Sequence, residues 1–280
     1  MPTNRHLPHV SRPNLHSASG VPQSDAPGVQ DRCPGCGATV PPPVYSVAAT
    51  PVTVATVFAT ADEARAVPLG RVDLVLCEQC GLLFNPCFQS ALAEIGARYE
   101  SSQASSAHFS NFARSLARGW IERHALSGKS VLEIGCGRGE FLQLMLSEGV
   151  GSARGLDPVA PAEGIHGPGL AIEPRSFDSR TVEREADAVV CRHTLEHIPD
   201  VRAFLGLLAQ WARRAPARVV LFEVPATERI LAEAAFWDVY YEHCNYFTGA
   251  SLQWAFESAG FEILRSERVY GDQYLSLIHI

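Results

Sequence analysis

Two groups of residues in this sequence have types and spacing suited to chemistry. The first is Cys33-Pro34-Gly35-Cys36-Gly37 with Cys77-Glu78-Gln79-Cys80-Gly81. Each is a C-x-x-C pair followed by glycine, which supplies the turn that aims two thiolates at one ion. Together Cys33, Cys36, Cys77 and Cys80 make the four sulfurs of a tetrahedral structural zinc site, leaving no open position for catalysis. Disulfides fit poorly with a reducing compartment, and a redox C-x-x-C ordinarily opens a helix. The second group is Val131-Leu132-Glu133-Ile134-Gly135-Cys136-Gly137-Arg138-Gly139-Glu140-Phe141. An apolar run enters three alternate glycines and leaves into a helical pattern, the form of a βα turn at a nucleotide-type site. Gly135, Gly137 and Gly139 let the backbone come close to a ligand. The spacing is G-x-G-x-G, not the G-x-G-x-x-G of dinucleotide folds, and no Lys follows to hold a phosphate. Glu133, at the end of the strand, would sit badly beside phosphates. The loop, Cys136 included, therefore suits a ligand with a nucleoside and no pyrophosphate.

These groups need elements to position them. From Ser130 the pattern alternates: strand 130–134, helix 140–148, strands 153–157 and 169–173, strand 187–192, helix 200–214, strand 217–224, helix 249–259, strands 261–268 and 273–280. Alternating apolar strands and helices predict an α/β, doubly wound, mainly parallel sheet of seven strands. Only Tyr270-Gly271-Asp272 separates the last two strands, so they form an antiparallel hairpin. In such sheets ligands bind beyond the carboxyl ends of the strands. That edge receives the glycine loop, Asp157, the Arg192–His197 turn with His193, and the segment after Glu223. Asp157, about twenty residues beyond the glycines, is placed to accept both ribose hydroxyls. Phe177 follows the third strand, where an adenine could lie against it.

Upstream, residues 1–30 are rich in Pro, Ser, His and Gly and read as a disordered tail. Residues 31–90 form the zinc-binding β module, with strands at Val52–Phe58 and Val72–Leu76. Residues 91–127 form a linker or lid, helical from Ser110 through Leu126, and residues 128–280 form the ligand-binding domain. The net charge of −7 argues against a nucleic-acid partner, because such binding needs a basic face. No apolar run is long enough to span a bilayer, and the opening residues lack the apolar core of a signal peptide. The composition fits a cytoplasmic protein acting on a small molecule. The oligomeric state is not legible.

E-I-G-C-G-R-G, followed by G-L-D and H-T-L-E-H-I-P-D, resembles the class I S-adenosylmethionine (SAM)-dependent methyltransferases. With the four-cysteine module and E-V-P…W-D-V-Y-Y-E-H-C-N-Y-F-T, residues 33–280 resemble the nucleotide-sugar C-methyltransferases of branched deoxysugar pathways. The resemblance implies SAM as methyl donor, held by Glu133, Gly135, Cys136, Gly137, Gly139, Asp157, Phe177 and His193. It also implies a structural Zn2+ and a nucleotide-linked keto-sugar as acceptor. The positions matching the family's active site are Tyr240, Glu242 and His243, with His197 and Tyr99. His243 would serve as base, Glu242 would fix its tautomer, and tyrosine hydroxyls would steady an enolate oxygen. O-methylation of a sugar or small metabolite is the alternative, since the same base serves a hydroxyl. A catalytically silent scaffold is a third reading, opposed by the intact glycine loop and the Glu-His pair. Tyr241 stands where the sugar enzymes commonly carry a second His. The chain ends at the last sheet strand, where the family adds a further α/β domain, which predicts a truncated fragment rather than a natural two-domain form.

Overall fold

The computed structural model describes residues 29–54, 56–93, 102, 105–182, 185–215 and 218–279. Residues 1–28 of the expected tail, and Tyr99, lie outside them. The described chain has twelve strands and six α-helices. In order they are β1 (Tyr45–Pro51), α1 (Ala61–Arg65), β2 (Leu69–Leu76), β3 (Leu83–Phe84), α2 (Ala107–Arg123), β4 (Ser130–Ile134), α3 (Glu140–Ser147), β5 (Ser152–Leu156), β6 (Ile165–Gly167), β7 (Leu170–Glu173), β8 (Ala188–Arg192), α4 (Val201–Ala212), β9 (Val219–Pro225), α5 (Thr227–Glu233), β10 (Asn245–Tyr246), α6 (Gly249–Ser258), β11 (Ile263–Val269) and β12 (Tyr274–His279).

The main sheet has the order β11-β12-β9-β8-β4-β5-β7-β6. Strands β7, β5, β4, β8 and β9 are parallel, while β12 runs antiparallel to both β9 and β11. The expected closing hairpin is present. The sheet has eight strands rather than seven, because β6 folds back on β7 as a short edge hairpin. Its three residues carry too little apolar periodicity to be legible. Buried β8 reads Ala-Val-Val-Cys-Arg with every position covered, as a central parallel strand with helices on both faces must.

The helices explain themselves. α2 buries Ala113, Leu116, Ala117, Trp120 and Ile121, the i, i+3, i+4, i+7, i+8 stripe of one face. Ser106 caps it by accepting from the Phe109 amide. Asp200 caps α4 in the same way, through the Ala203 amide, and Thr248 and Ser251 form a reciprocal capping box at α6.

The second sheet has the order β1-β2-β3-β10. The strand expected at Val52–Phe58 is displaced to Tyr45–Pro51, in register with β2 from Tyr45 opposite Leu74. Pairing with β2 decides this, whereas the Val/Thr run after Pro51 turns aside toward Glu242. β10 comes from far along the chain and completes this sheet by pairing with β3. Cys33, Cys77 and Cys80 share one apolar core with Val201, Leu205, Phe247 and Leu252 of the main domain. Among the described residues, no helix is long and apolar enough to cross a membrane.

Candidate active site

The expected donor half lies at the carboxyl ends of β4 and β5. All three loop glycines have positive φ, between +54° and +77°. At Gly135 a Cβ would overlap the Thr194 side chain, so the position admits no other residue as the loop stands. The loop is tied down by two bonds. The Gly135 amide donates to the Leu156 carbonyl (2.8 Å) and the Gly137 amide donates to Asp157 Oδ2 (2.7 Å). Asp157 Oδ1 accepts from the Val159 amide, so this buried carboxylate holds the loop and turns the chain after β5. α3 opens at Gly139 with no side-chain cap, which leaves its first amides to a ligand or water. Ser102 donates to the Glu140 carboxylate at that same helix start (2.7 Å).

Two expected donor-site side chains point elsewhere. The Cys136 thiol is buried and packs over Gly155, where a Cβ would collide with the sulfur. Phe177 is buried in the core, edge-to-face on Phe204 at 5.8 Å, and is not a free adenine platform. Burial raises Glu133 to about 8, so it is a neutral acid at pH 7.

Behind the loop lies a buried ion pair, Arg192 with Glu223, whose pairing sequence reasoning missed. Arg192 donates through Nε (3.0 Å) and Nη2 (2.6 Å) to Glu223 Oε1, and its guanidinium lies over the Phe141 ring. His193 brings Nε2 to 2.9 Å from the same Glu223 oxygen and stands edge-to-face on Tyr274. The ring assigned to the donor site is thus engaged by β9 and β12. Arg192 ends β8 and Glu223 lies on β9. A charged residue closing an apolar strand, opposite another of opposite sign, was the available signal.

The expected acceptor half is built on residues 240–246. Tyr240 Oη lies 2.6 Å from His243 Nε2, and the rings are 4.0 Å apart. Burial, with His197 and His193 nearby, holds His243 well below the usual imidazole range. His197 Nδ1 lies 2.9 Å from the Glu242 carbonyl, which can only accept. That bond fixes the tautomer and leaves Nε2 with its lone pair. Burial lowers His197 to about 4, so it too is neutral at pH 7. The two imidazoles stand edge-to-face at 4.9 Å.

The expected orienting role of Glu242 toward His243 is not what the structure shows. Its carboxylate instead accepts from Thr53 Oγ1 (3.1 Å) and the Val54 amide (3.0 Å). Tyr241 is also turned away from the imidazoles. It is fully buried, and its hydroxyl accepts from the Gln89 amide.

The turn after β8 joins the two halves. Thr194 Oγ1 donates to the Arg192 carbonyl (3.0 Å) while its side chain covers Gly135. Two residues later, the Glu196 carbonyl accepts from the Cys244 amide (3.0 Å). A cleft lined by His124, Lys129, Asp187 and Arg218 lies at the opposite, amino-terminal edge of β4 and β9, and none of the candidate groups faces it.

Two groups of side chains could hold a metal. The thiols of Cys33, Cys36, Cys77 and Cys80 lie within 4.8 Å of one another, with Cys33–Cys80 at 3.6 Å and Cys36–Cys77 at 3.5 Å. Zinc with sulfur at about 2.3 Å needs tetrahedral edges of about 3.8 Å, so the four fit. Gly37 and Gly81, at φ +79° and +71°, return the chain so that each amide bonds the carbonyl of the first cysteine of its pair. Glu196, His197 and His243 form the second group. There His243 Nε2 is already engaged by Tyr240, and His197 Nδ1 by the Glu242 carbonyl.

The chain resembles curated relatives over part of its length. It is 36% identical over 107 residues to the ubiquinone biosynthesis O-methyltransferase of Cronobacter sakazakii, covering 34% of this chain and 43% of that protein. It is 38% identical over 92 residues to the protein of the same name in Pseudomonas aeruginosa, covering 29% and 39%. The chain thus spans about two fifths of the length of these relatives. Among solved structures it is similar to the Burkholderia thailandensis 1,6-didemethyltoxoflavin-N1-methyltransferase, which holds 1,6-didemethyltoxoflavin and S-adenosylhomocysteine. That likeness has 18% identity and a TM-score of 0.45, over 62% of this chain and 80% of the other. A family model described as a methyltransferase domain matches residues 109–266, more than half of the sequence, and the chain belongs to that family.

Proposed function

We propose that this protein is a SAM-dependent methyltransferase that methylates carbon on a keto-deoxysugar nucleotide. The observation that carries it is the meeting of Tyr240, His243 and His197 on the ligand edge of the sheet, one turn away from the glycine loop. SAM supplies an electrophilic sulfonium methyl. Gly135, Gly137, Gly139 and Asp157 would hold it, with Glu133 as an uncharged neighbour. With the Tyr240 hydroxyl as donor across its 2.6 Å contact with His243 Nε2, a proton leaving the acceptor passes to Tyr240 oxygen as the phenol proton moves to His243. Burial keeps both imidazoles neutral, so each retains a lone pair, and it also makes them weaker bases than a free imidazole. His197 Nε2 is the second basic nitrogen in reach. Removing a proton beside a ketone leaves charge on the carbonyl oxygen, which a hydroxyl or imidazole N–H can steady. Zinc, held by Cys33, Cys36, Cys77 and Cys80, would be structural, and the substrate a small molecule met in the cytoplasm.

O-methylation is the second reading, favoured by the names of the curated relatives. A hydroxyl acceptor needs the same base and no enolate. Methyl-labelled SAM with keto- and hydroxy-nucleotide-sugars, followed by NMR of the product, separates the two. Label on carbon supports the first reading, and label on oxygen replaces it with the second. Full turnover in His243→Ala would overturn the proton route in either case.

A further inference from the structure

The cysteine module and the acceptor loop are one piece of structure. β10, which begins two residues after His243, is an edge strand of the module's sheet. Between them the Asn85 amide donates to the Cys244 carbonyl (2.9 Å). Tyr241 lies flat against Gly70 of β2, where any Cβ would collide with the ring, and its hydroxyl is held by the Gln89 amide. Glu242 reaches the loop after β1, accepting from Thr53 and Val54. Four consecutive residues therefore split by task. Tyr240 and His243 face each other at the acceptor edge, and Tyr241 and Glu242 are anchored in the module. The first knuckle is fixed in turn to the main domain, where the Pro34 carbonyl accepts from the Arg202 amide at the start of α4.

We infer that the cysteine module is the scaffold of the acceptor half, and that Glu242 is the positioning residue that latches the acceptor loop to it. Glu242 acts through His197 and His243 rather than on substrate. Its backbone carbonyl fixes the His197 tautomer, and its carboxylate fixes where that carbonyl lies. Gly70 admits the Tyr241 ring that would otherwise have no seat. The metal arm of this inference rests on the zinc reading above; the Glu242 arm does not.

The test is hydrogen exchange of the full chain, read on peptides covering 240–246 and 130–157, beside calorimetric binding of SAM. Loss of a charge-assisted bond pair weakens the loop by enough for about tenfold faster exchange. Glu242→Ala should speed exchange in 240–246 by that factor and leave 130–157 and SAM affinity unchanged within about twofold. Glu242→Gln, which keeps one acceptor oxygen, should restore most of the protection. Thr53→Val should fall between them. Metal analysis of the isolated protein should find one zinc per chain, absent from a Cys33→Ser, Cys77→Ser double variant. Stripping zinc should deprotect 240–246 before 130–157. Unchanged exchange in 240–246 for Glu242→Ala would overturn the latch. Equal loss of SAM binding would overturn the division of labour. Absence of zinc would remove the metal arm alone, with the Glu242 comparison still deciding the latch.

Discussion

Replacing Gly135 by Ala tests the donor loop most sharply, because the structure names both costs. Gly135 sits at φ +72°, where an L side chain is strained by roughly 1–2 kcal/mol. The new Cβ would overlap Thr194 Oγ1 and Cγ2, forcing that side chain out of the rotamer in which Oγ1 donates to the Arg192 carbonyl. Losing that bond costs about 1 kcal/mol more. If the sum of about 2–3 kcal/mol falls on the loop that meets the ligand, affinity for SAM drops roughly 30- to 150-fold. The clash part alone depends on Thr194. Calorimetric titration of the parent, Gly135→Ala, Thr194→Ala and the double variant therefore isolates it. The double variant should recover about 1 kcal/mol relative to the sum of the singles. Parent-like affinity in Gly135→Ala, or additivity of the two changes, would refute the account of a loop locked by the turn after β8.

Glu133 makes stability depend on pH in a defined sense. Its native value near 8 lies above the ordinary carboxylate value near 4.5, so the folded chain holds a proton that the unfolded chain releases. The stabilisation is complete below pH 4.5 and is lost as pH rises toward 8, at about 1.4 kcal/mol per pH unit. Glu133→Gln should remove that slope in urea unfolding measured from pH 5 to 7.5, and an unchanged slope would show that Glu133 is ionised in the folded chain. Phe177→Leu separates core from ligand roles. Packed against Phe204, it should cost about 1 kcal/mol in unfolding and leave SAM affinity within about twofold, whereas a tenfold loss of affinity would return Phe177 to the adenine site.

Most strands and helices beyond Ser130 were legible to within a residue or two, α5 and β10 excepted, because that region obeys local rules. Apolar runs of four to seven residues are buried on both faces, amphipathic helices follow, and Asp200 and Thr248 mark starts. The edge strand β6 was not legible, since three residues, two of them exposed, join a sheet through backbone bonds that any sequence can make. The same reason moved the first strand of the cysteine module. Val52–Phe58 has the better β composition, but the partner β2 pairs in register with Tyr45–Pro51.

By itself the sequence determined which chemistries were available. Three alternate glycines, four cysteines in two knuckles, and a Tyr-Tyr-Glu-His run constrain their neighbours through φ, sulfur valence and titration, all properties of residue type and short spacing. Only the tertiary structure decided what each side chain faces. Glu242 lies next to His243 in sequence, yet its carboxylate binds Thr53 and Val54, nearly 190 residues away. Phe177 and the Cys136 thiol turn into the core, and Arg192 finds Glu223 across adjacent strands. Direction in a loop follows from which long-range partner satisfies a buried polar group or fills a gap. That choice depends on packing between segments that no local spacing encodes.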